Sequence, residues 1–493
     1  MNTTYYIACD LGAEAGRVML GTLAKGHLTL TEIHRFDNKT LLAHGRLYWD
    51  LASLEKEIFV GIEKVAQLNL PISGLSADSC GVDYVLLDDD DRPLQSPACG
   101  RNGVVPEETS RLLKKLSLSA IYAETGIPLL PIHTLFRLEA EQQSDPALFR
   151  RAHRFLPIAD YLNTRFSGVV ACEESLASTT QLYNPQTHAW SPQLVAALDL
   201  PASVLPRLVP SGTAYGPVID ELRKYPALLN TRVVATCSHD TAAAIAAVPA
   251  RTEQPWAFLH SHTRSQLGIE LSQPIMSCQA REDDFTNEVG LGGSIRFLKD
   301  GAGLGLVDEC RRAWETAGQS WSHAELLRFA AQSGPAPAHV NLEHPLLHEP
   351  GDLPTKIARY CRETAQSIPI KPGETIRVVL ESLALQHAET LRRIKAVTGH
   401  DVEVLHVVGR GADNDLLNQL IADAAGIPVI AGPVDAAPIG NILIQALALW
   451  QLKSPDHLRS IVSSSFPTRI FKPSSGFEQN IGDRFHSLEP AGV

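Results

Sequence analysis

Three short stretches hold the residue types that reactions at phosphate and hydroxyl groups need. The first is Asp10-Leu11-Gly12-Ala13-Glu14-Ala15-Gly16-Arg17, set between two β-prone runs. A tight turn of this kind presents backbone N–H groups, and its glycines allow a phosphate to come close. An Asp that ends the first strand can hold Mg²⁺ directly or through water. The same residues also suit an ordinary hairpin turn. The second stretch is Ala235-Thr236-Cys237-Ser238-His239-Asp240-Thr241, between a strand and an alanine-rich run. Asp240 can take the proton of a hydroxyl as its oxygen attacks a phosphate. Its other reading is the N-cap of a helix opening at Thr241. His239 alone reads more readily as a packed or solvent-facing histidine. The third is Val407-Val408-Gly409-Arg410-Gly411-Ala412-Asp413-Asn414, a Gly-rich strand-to-helix loop that suits a nucleotide or simply turns the chain. Farther on, Gly432-Pro433-Val434 and Pro438-Ile439-Gly440-Asn441 supply small residues that let a helix approach a nucleotide, or another helix.

These stretches need elements to hold them. Tyr5 to Cys9, Arg17 to Leu20 and Leu28 to His34 read as three closely spaced, hence antiparallel, strands. Leu51, Leu54, Ile58, Ile62 and Val65 recur every three or four residues, which predicts an amphipathic helix with Asp50 or Ser53 as its cap. Ile72 to Ala77 is a further strand, closed by Asp78. The pattern restarts at Trp256 to Leu259, a polar turn over His260 to Arg264, and a returning strand over Ser265 to Leu271; this predicts a duplicated domain, against the alternative of two unrelated hairpins. Ser333 to Pro354, rich in Pro, His and Gly, reads as a long surface connection. A helix over about Glu374 to Lys395 and a strand over Val404 to Val408 follow, and the chain past Pro473 reads as a mobile tail.

A chain of 493 residues is too long for one core, so two large domains are expected: 1–248, 249–475, then a tail over 476–493. The net charge of −12 argues against a nucleic-acid or anionic-membrane surface, both of which favour clustered Lys and Arg. The eight cysteines form no C-x-x-C pair, so a zinc or redox motif is not expected. Met1 to Asp10 has no basic n-region and too short an apolar run to read as a signal peptide, no run of 18 apolar residues occurs, and a cytoplasmic location with free thiols is the expectation.

The order of the motifs is more specific than any one of them. D-L-G-x-x-x-G-R, then D-S-C-G-V-D at Asp78 to Asp83, S-H-D-T at Ser238 to Thr241, the Gly409–Gly411 loop and A-G-P-V at Ala431 to Val434 together resemble the FGGY family of carbohydrate kinases. Within that family the likeness is to the rhamnulokinase branch, through Leu130 to Leu135, Ala177 to Leu182 and Leu416 to Leu420; it runs from about Tyr6 to about Phe471. The resemblance implies an α/β fold of two RNase H-like (actin-like ATPase) domains with a cleft between them. It implies ATP and Mg²⁺ as cofactors and phosphorylation of a ketose, L-rhamnulose or a relative, at O1. It implies a small-molecule sugar and nucleotide as partners, no nucleic acid or membrane, and a monomer or homodimer. By analogy Asp10 holds the metal, Asp240 is the base, and Gly81, Asp83, His239, Thr241 and Asp300 border the sugar. Ala13, Glu14, Ala15, Gly16, Arg17, Thr263, Asp308, Gly409, Arg410 and Gly411 are implied for the nucleotide.

Departures from the family pattern gather at these positions. Its G-T-W-S turn is His262-Thr263-Arg264-Ser265 here, and the middle glycine of its nucleotide loop is Arg410. That arginine either obstructs the nucleotide or pairs with a phosphate. A Trp and a Tyr on the sugar side have become Cys80 and Gly100, and two amides have become Asp300 and Asp308. Arg264 and Arg410 are candidates to offset those two carboxylates. A catalytically impaired paralogue that binds sugar, nucleotide or a partner is therefore the alternative to a working kinase.

Overall fold

The computed structural model describes residues 3–12, 15–43, 45–100, 106–130, 132–251, 254–349 and 351–474. The chain forms two compact units. The first comprises Met1–Pro249, Glu270–Leu298 and Asp435–Phe466; the second comprises Ala250–Ile269, Lys299–Val434 and Pro467–Val493. The 476–493 tail and the call of mobility there lie outside the described residues.

In the first unit, β1 (Thr4–Leu11), β2 (Ala15–Ala24) and β3 (His27–Asp37) are antiparallel neighbours, as their close spacing predicts. The helix α1 (Leu51–Ala66) is capped by Asp50, whose carboxylate accepts from the Ser53 N–H at 3.1 Å, and it buries Leu51, Leu54, Ile58, Ile62 and Val65. The chain then enters β4 (Ile72–Ser79), parallel to β1. Later come β5 (Thr213–Pro217), β6 (Arg232–Ala235) and α2 (Asp240–Ala246). The six-stranded sheet has the order β3-β2-β1-β4-β6-β5. β1 is buried from Tyr6 to Leu11 without alternation, as expected of a strand covered on both faces.

The second unit opens on β7 (Trp256–Ser261) and β8 (Arg264–Leu271), an antiparallel hairpin. β9 (Thr286–Val289) and the start of β10 (Ile295–Ala302) pair within the first unit. A helix over Gly305–Thr316, the long α3 (Pro372–Thr398), β11 (Val404–Val408), α4 (Asp415–Ala425) and β12 (Val429–Ala431) follow. The chain returns to the first unit through α5 (Ala436–Ala448), and β13 (Arg469–Phe471) lies in the second. Strand order here runs β10-β8-β7-β11-β12-β13. β7 is parallel to β11 and β11 to β12, while β13 closes the edge antiparallel. The first sheet does the same: β1, β4 and β6 are parallel, and β5 closes the edge antiparallel. The repeat glimpsed as two strand–turn–strand patterns thus extends to strand order and direction across each sheet, although the antiparallel edge strand precedes the last parallel strand along the chain in the first unit and follows it in the second.

One sequence expectation is corrected. Ser333 to Pro354 is not a plain surface connection, because Ala338, Val340, Leu342, Leu346 and Leu347 are buried in it. It also contains the helical turn Pro345–His348 and leads into the helix Leu353–Glu363. Proline and histidine marked the segment as loop, but its apolar residues are anchored by partners distant in sequence. For instance, the Val340 N–H donates to Ser382 Oγ in α3 at 2.9 Å.

Candidate active site

In the first unit three carboxylates stand at the carboxyl ends of parallel strands, where open α/β sheets bind ligands. Asp10 is next to last in β1, Asp78 is its register partner in β4, and Asp240 follows β6. Arg17, opposite Asp10 in β2, donates from Nε to Asp10 Oδ2 at 3.0 Å and from Nη1 to Asp435 at 2.7 Å. Asp78 is fully buried. Its Oδ2 accepts from Asn441 of α5 at 2.5 Å, and Asn441 is held in turn by Gln445 at 2.7 Å. Asp78 Oδ1 has no hydrogen-bond partner among the described residues. Burial pushes both carboxyls above the usual range; Arg17 works against this at Asp10, while the charge of Asp10 adds to it at Asp78.

Such a pair suits a cation. Among the described residues no three His, Cys, Asp or Glu side chains converge as a self-sufficient metal site. Mg²⁺ does not need one, since it keeps several waters and takes one or two carboxylates plus substrate phosphates. Asp10 and Asp78, with the unpartnered Asp78 oxygen, fit that requirement.

The loop from Thr236 to His239 is pinned from behind. The Ser238 N–H donates to Glu173 Oε2 at 3.0 Å and the His239 N–H to Ser175 Oγ at 3.1 Å. The helix opens at Asp240 itself, one residue earlier than the capping alternative assumes, with His239 at the N-cap and no side-chain cap bond there. The Asp240 carboxylate accepts from the Thr241 N–H at 2.5 Å and lies 3.5 Å from His239 Nε2. It keeps one-fifth of its side chain exposed, so it is open to a substrate. α5 backs this helix: a Cβ on Gly440 would lie 1.8 Å from the carbonyl oxygen of Ala243. The small residues around Gly440 therefore serve helix–helix approach.

Gly81 and Asp83 flank a strained residue. Val82 is β-branched yet has φ of 68°, a conformation costing about 1–3 kcal/mol unless its surroundings impose it. They do: its N–H donates to Thr179 Oγ1 at 3.2 Å, and its carbonyl accepts from Thr134 Oγ1 at 2.7 Å and Arg137 Nη1 at 3.1 Å. A Cβ on Gly81 would stand 2.7 Å from Thr179 Oγ1, so glycine is required there by packing. Asp83 is committed to Trp49 Nε1 at 2.8 Å, the Gly100 N–H at 2.7 Å and Arg137 at 2.5 Å. Its role in the structure is to hold the wall of this region.

The phosphate turn is described in part. Ala13 and Glu14 lie outside the described residues; Ala15 opens β2. A Cβ on Gly16 would meet the ring of Phe36 at 2.2 Å, so this glycine answers to core packing.

The second unit has a cavity of about 310 Å³ lined by His262, Thr263, Leu304, Asp308, His323, Leu327, Arg410, Asp413, Asn414 and Val434. Its size falls at the lower end of small-molecule sites. It gathers the predicted Thr263, Asp308 and Arg410. The turn at Thr263 is clasped by backbone: the Leu304 N–H donates to the His262 carbonyl at 2.8 Å and the Gly305 N–H to that of Thr263 at 3.0 Å. Gly409 has φ of 83°, and a Cβ on Gly411 would sit 2.1 Å from Ser261 Oγ, so both glycines are demanded by the chain. Arg410 between them is exposed and lines the cavity without filling it. Asp308 is held below the usual carboxylate range by a hydrogen bond from His323 at 3.2 Å, with Arg410 and Arg311 adding to this. Arg264 does not line this cavity. Asp300 sits apart, accepting from Gln266 at 3.0 Å beside a water-sized hollow with Lys299, Gln386 and His387.

A mixed α/β chain with duplicated sheets, carboxylates at strand ends in one unit and a Gly-loop cavity in the other, has the features of a sugar kinase. The family model for the FGGY carbohydrate kinase N-terminal domain matches residues 5–247, and that for the C-terminal domain matches residues 263–449. The chain belongs to the FGGY family and is a carbohydrate kinase. It is 35% identical to the rhamnulokinase of Bacteroides thetaiotaomicron over 95% of this chain and 96% of that one. It is 36% identical to the rhamnulokinase of Enterococcus faecalis over 98% and 97%. Among solved structures it shares its fold with a ligand-bound xylulose kinase from Lactobacillus acidophilus, at TM-score 0.78 and 15% identity over 98% of this chain and 96% of that one. A Plasmodium falciparum glycerol kinase with ADP gives TM-score 0.78 and 16% identity over 99% and 97%. No helix among the described residues is long and apolar enough to cross a membrane.

Sequence reasoning assigned no site role to Asp78, Asn441, Glu288 or Arg296. Asp78 was legible as a second Asp ending a strand. The other three become visible only when α5 and the β9–β10 hairpin are in place.

Proposed function

We propose that this carbohydrate kinase transfers the γ-phosphoryl group of ATP to O1 of L-rhamnulose, with Asp240 as general base. The observation that carries the reading is the Asp240 carboxylate, partly exposed on a backbone pinned by Glu173 and Ser175. The full-length likeness to rhamnulokinases supports the choice of sugar. In the proposed step Asp240 takes the O1 proton as O1 bonds to the γ-phosphorus. The bond from that phosphorus to the bridging oxygen breaks, and ADP leaves with its electron pair. Such transfers depend mostly on positioning and charge stabilisation. Gly81, His239, Thr241 and Asp300 are proposed as the residues for the sugar. Arg17 is proposed to face phosphate from its pairs with Asp10 and Asp435. Mg²⁺, held through Asp10 and Asp78, would neutralise phosphate charge when bound. Thr263, Asp308, Arg410 and the Gly409–Gly411 backbone are proposed for the nucleotide.

The test is ADP release from Mg-ATP with L-rhamnulose and a panel of other ketoses, with Asp240→Asn alongside. Release that is fastest with L-rhamnulose and lost in the variant supports the reading. A different best sugar overturns the acceptor, and full activity in the variant overturns the base.

A further inference from the structure

Behind His239 lies an ion pair that the proposed reaction does not use. Glu288 and Arg296 are direct cross-strand partners in the β9–β10 hairpin. Arg296 has no exposed surface, and Glu288 has almost none. A single nitrogen of Arg296, Nη2, lies 2.7 Å from Glu288 Oε2 and 3.0 Å from His239 Nδ1. Its Nη1 has no partner among the described residues. Burial alone would raise the Glu288 carboxyl, but the Arg296 charge beside it holds it below the usual carboxylate range, so it is ionised. A buried pair of this kind is expensive to desolvate and is a weak source of stability. Its placement against an active-site imidazole calls for another explanation.

The hydrogen inventory supplies one. Arginine only donates. Nη2 has two hydrogens; the two short contacts take one each, and the Val289 carbonyl at 3.4 Å is a longer third. His239 Nδ1 must then accept, so in the neutral ring the proton sits on Nε2. The competing arrangement puts the proton on Nδ1, facing Glu288 Oε2 at 3.3 Å. That contact is the longer of the two. It would also turn an N–H toward the Arg296 donor and leave one Nη2 hydrogen with only the Val289 carbonyl at 3.4 Å, in a buried guanidinium whose Nη1 already lacks a partner among the described residues. The other charged or titratable groups near this ring are Asp240 beside Nε2, His133 behind Glu288 and Glu173 under the Ser238 N–H. Among the described residues, Asp240 is the charged group that faces the protonated nitrogen, at 3.5 Å from Nε2.

We propose that Arg296, seated by Glu288, locks His239 as an Nε2–H donor beside Asp240, which makes Arg296 a positioning residue for the sugar acceptor. His239 then donates to an oxygen lone pair of the acceptor, a ketose carbonyl or hydroxyl, and does not compete with Asp240 for the proton. The consequence for the sugar rests on Asp240 being the base; the tautomer does not.

The test combines a spectroscopic and a kinetic reading on the full chain. Long-range ¹H–¹⁵N correlation spectra of ¹⁵N-histidine-labelled protein report which ring nitrogen carries the proton, with His239 assigned by its loss in His239→Gln. The expected result is the Nε2–H form in the wild type and in Glu288→Gln, where the Arg296 donor persists. An Nδ1–H form in either overturns the proposal, whatever sugar the enzyme uses. Arg296→Met should move the ring to Nδ1–H and raise the KM for L-rhamnulose roughly tenfold, with the KM for ATP within about twofold. Arg296→Lys should restore part of the sugar KM, and Arg296→Met should add nothing in a His239→Gln background. An unchanged sugar KM in Arg296→Met, or additive losses in the double variant, also overturns it.

Discussion

Gly440→Ala sets two physical effects against each other at one atom. Inside a helix alanine is preferred to glycine by about 1 kcal/mol, so with open space the change would stabilise α5. The space is not open. The new Cβ would stand 1.8 Å from the Ala243 oxygen and 2.6 Å from its carbonyl carbon, both backbone atoms that no rotamer can move. Ordinary contact begins near 3.4 Å, so 3.4 Å less 1.8 Å leaves α5 and α2 about 1.6 Å too close. Overpacking of this kind costs about 1–3 kcal/mol, and a backbone clash belongs at the upper end. The net expectation is a loss of about 1–2 kcal/mol. The displacement also reaches the base: the Ala243 N–H donates to the His239 carbonyl at 3.0 Å, one turn from Asp240. A misplacement of about 1 Å at a reacting group can cost roughly 100-fold in rate. Urea unfolding should therefore show a lower midpoint at unchanged slope, and steady-state kinetics a kcat down by about two orders of magnitude with the KM for ATP unaltered. A variant as stable and as fast as the wild type would refute the argument, because it would mean the helices do not approach as described.

Other outcomes follow from the same geometry. Asp240→Asn should fold normally and lose about 10²–10⁴-fold in kcat, read from ADP release against a thermal-melt control. Arg410→Gln should raise the KM for ATP roughly tenfold and flatten its dependence on salt, leaving the sugar KM alone, since a charge-assisted hydrogen bond is worth about 1.5–3 kcal/mol; an unchanged ATP KM would count against a phosphate contact. Glu288 supplies a pH test. Arg296 holds its folded-state carboxyl below the ordinary 4.5, so it contributes stability that is present above about pH 4.5 and lost as pH falls through the lowered folded-state value. The advantage of the wild type over Glu288→Gln in urea should be largest near neutrality and shrink through that window. A difference that stays constant with pH would sink it.

Much of this was written in local sequence. The β1–β2–β3 strands, α1 with its Asp50 cap and the strand before Gly409 were legible because periodicity and capping act over a few residues. The motif order Asp10, Asp240, Gly409–Gly411 was enough to indicate the family. Local sequence could not decide why particular glycines are there. Gly16, Gly411 and Gly440 look alike as candidates for phosphate or nucleotide approach, yet they make room for Phe36, Ser261 and Ala243, each of them a contact set by packing. Nor could it decide whether Arg410 blocks or lines a cavity, since that depends on the direction of one side chain. Asp78 with Asn441, and His239 with Glu288 and Arg296, are joined across 363, 49 and 57 positions of chain. No periodicity or spacing rule links residues so far apart; strand register and helix packing bring them together, and the protonation of the site is settled there.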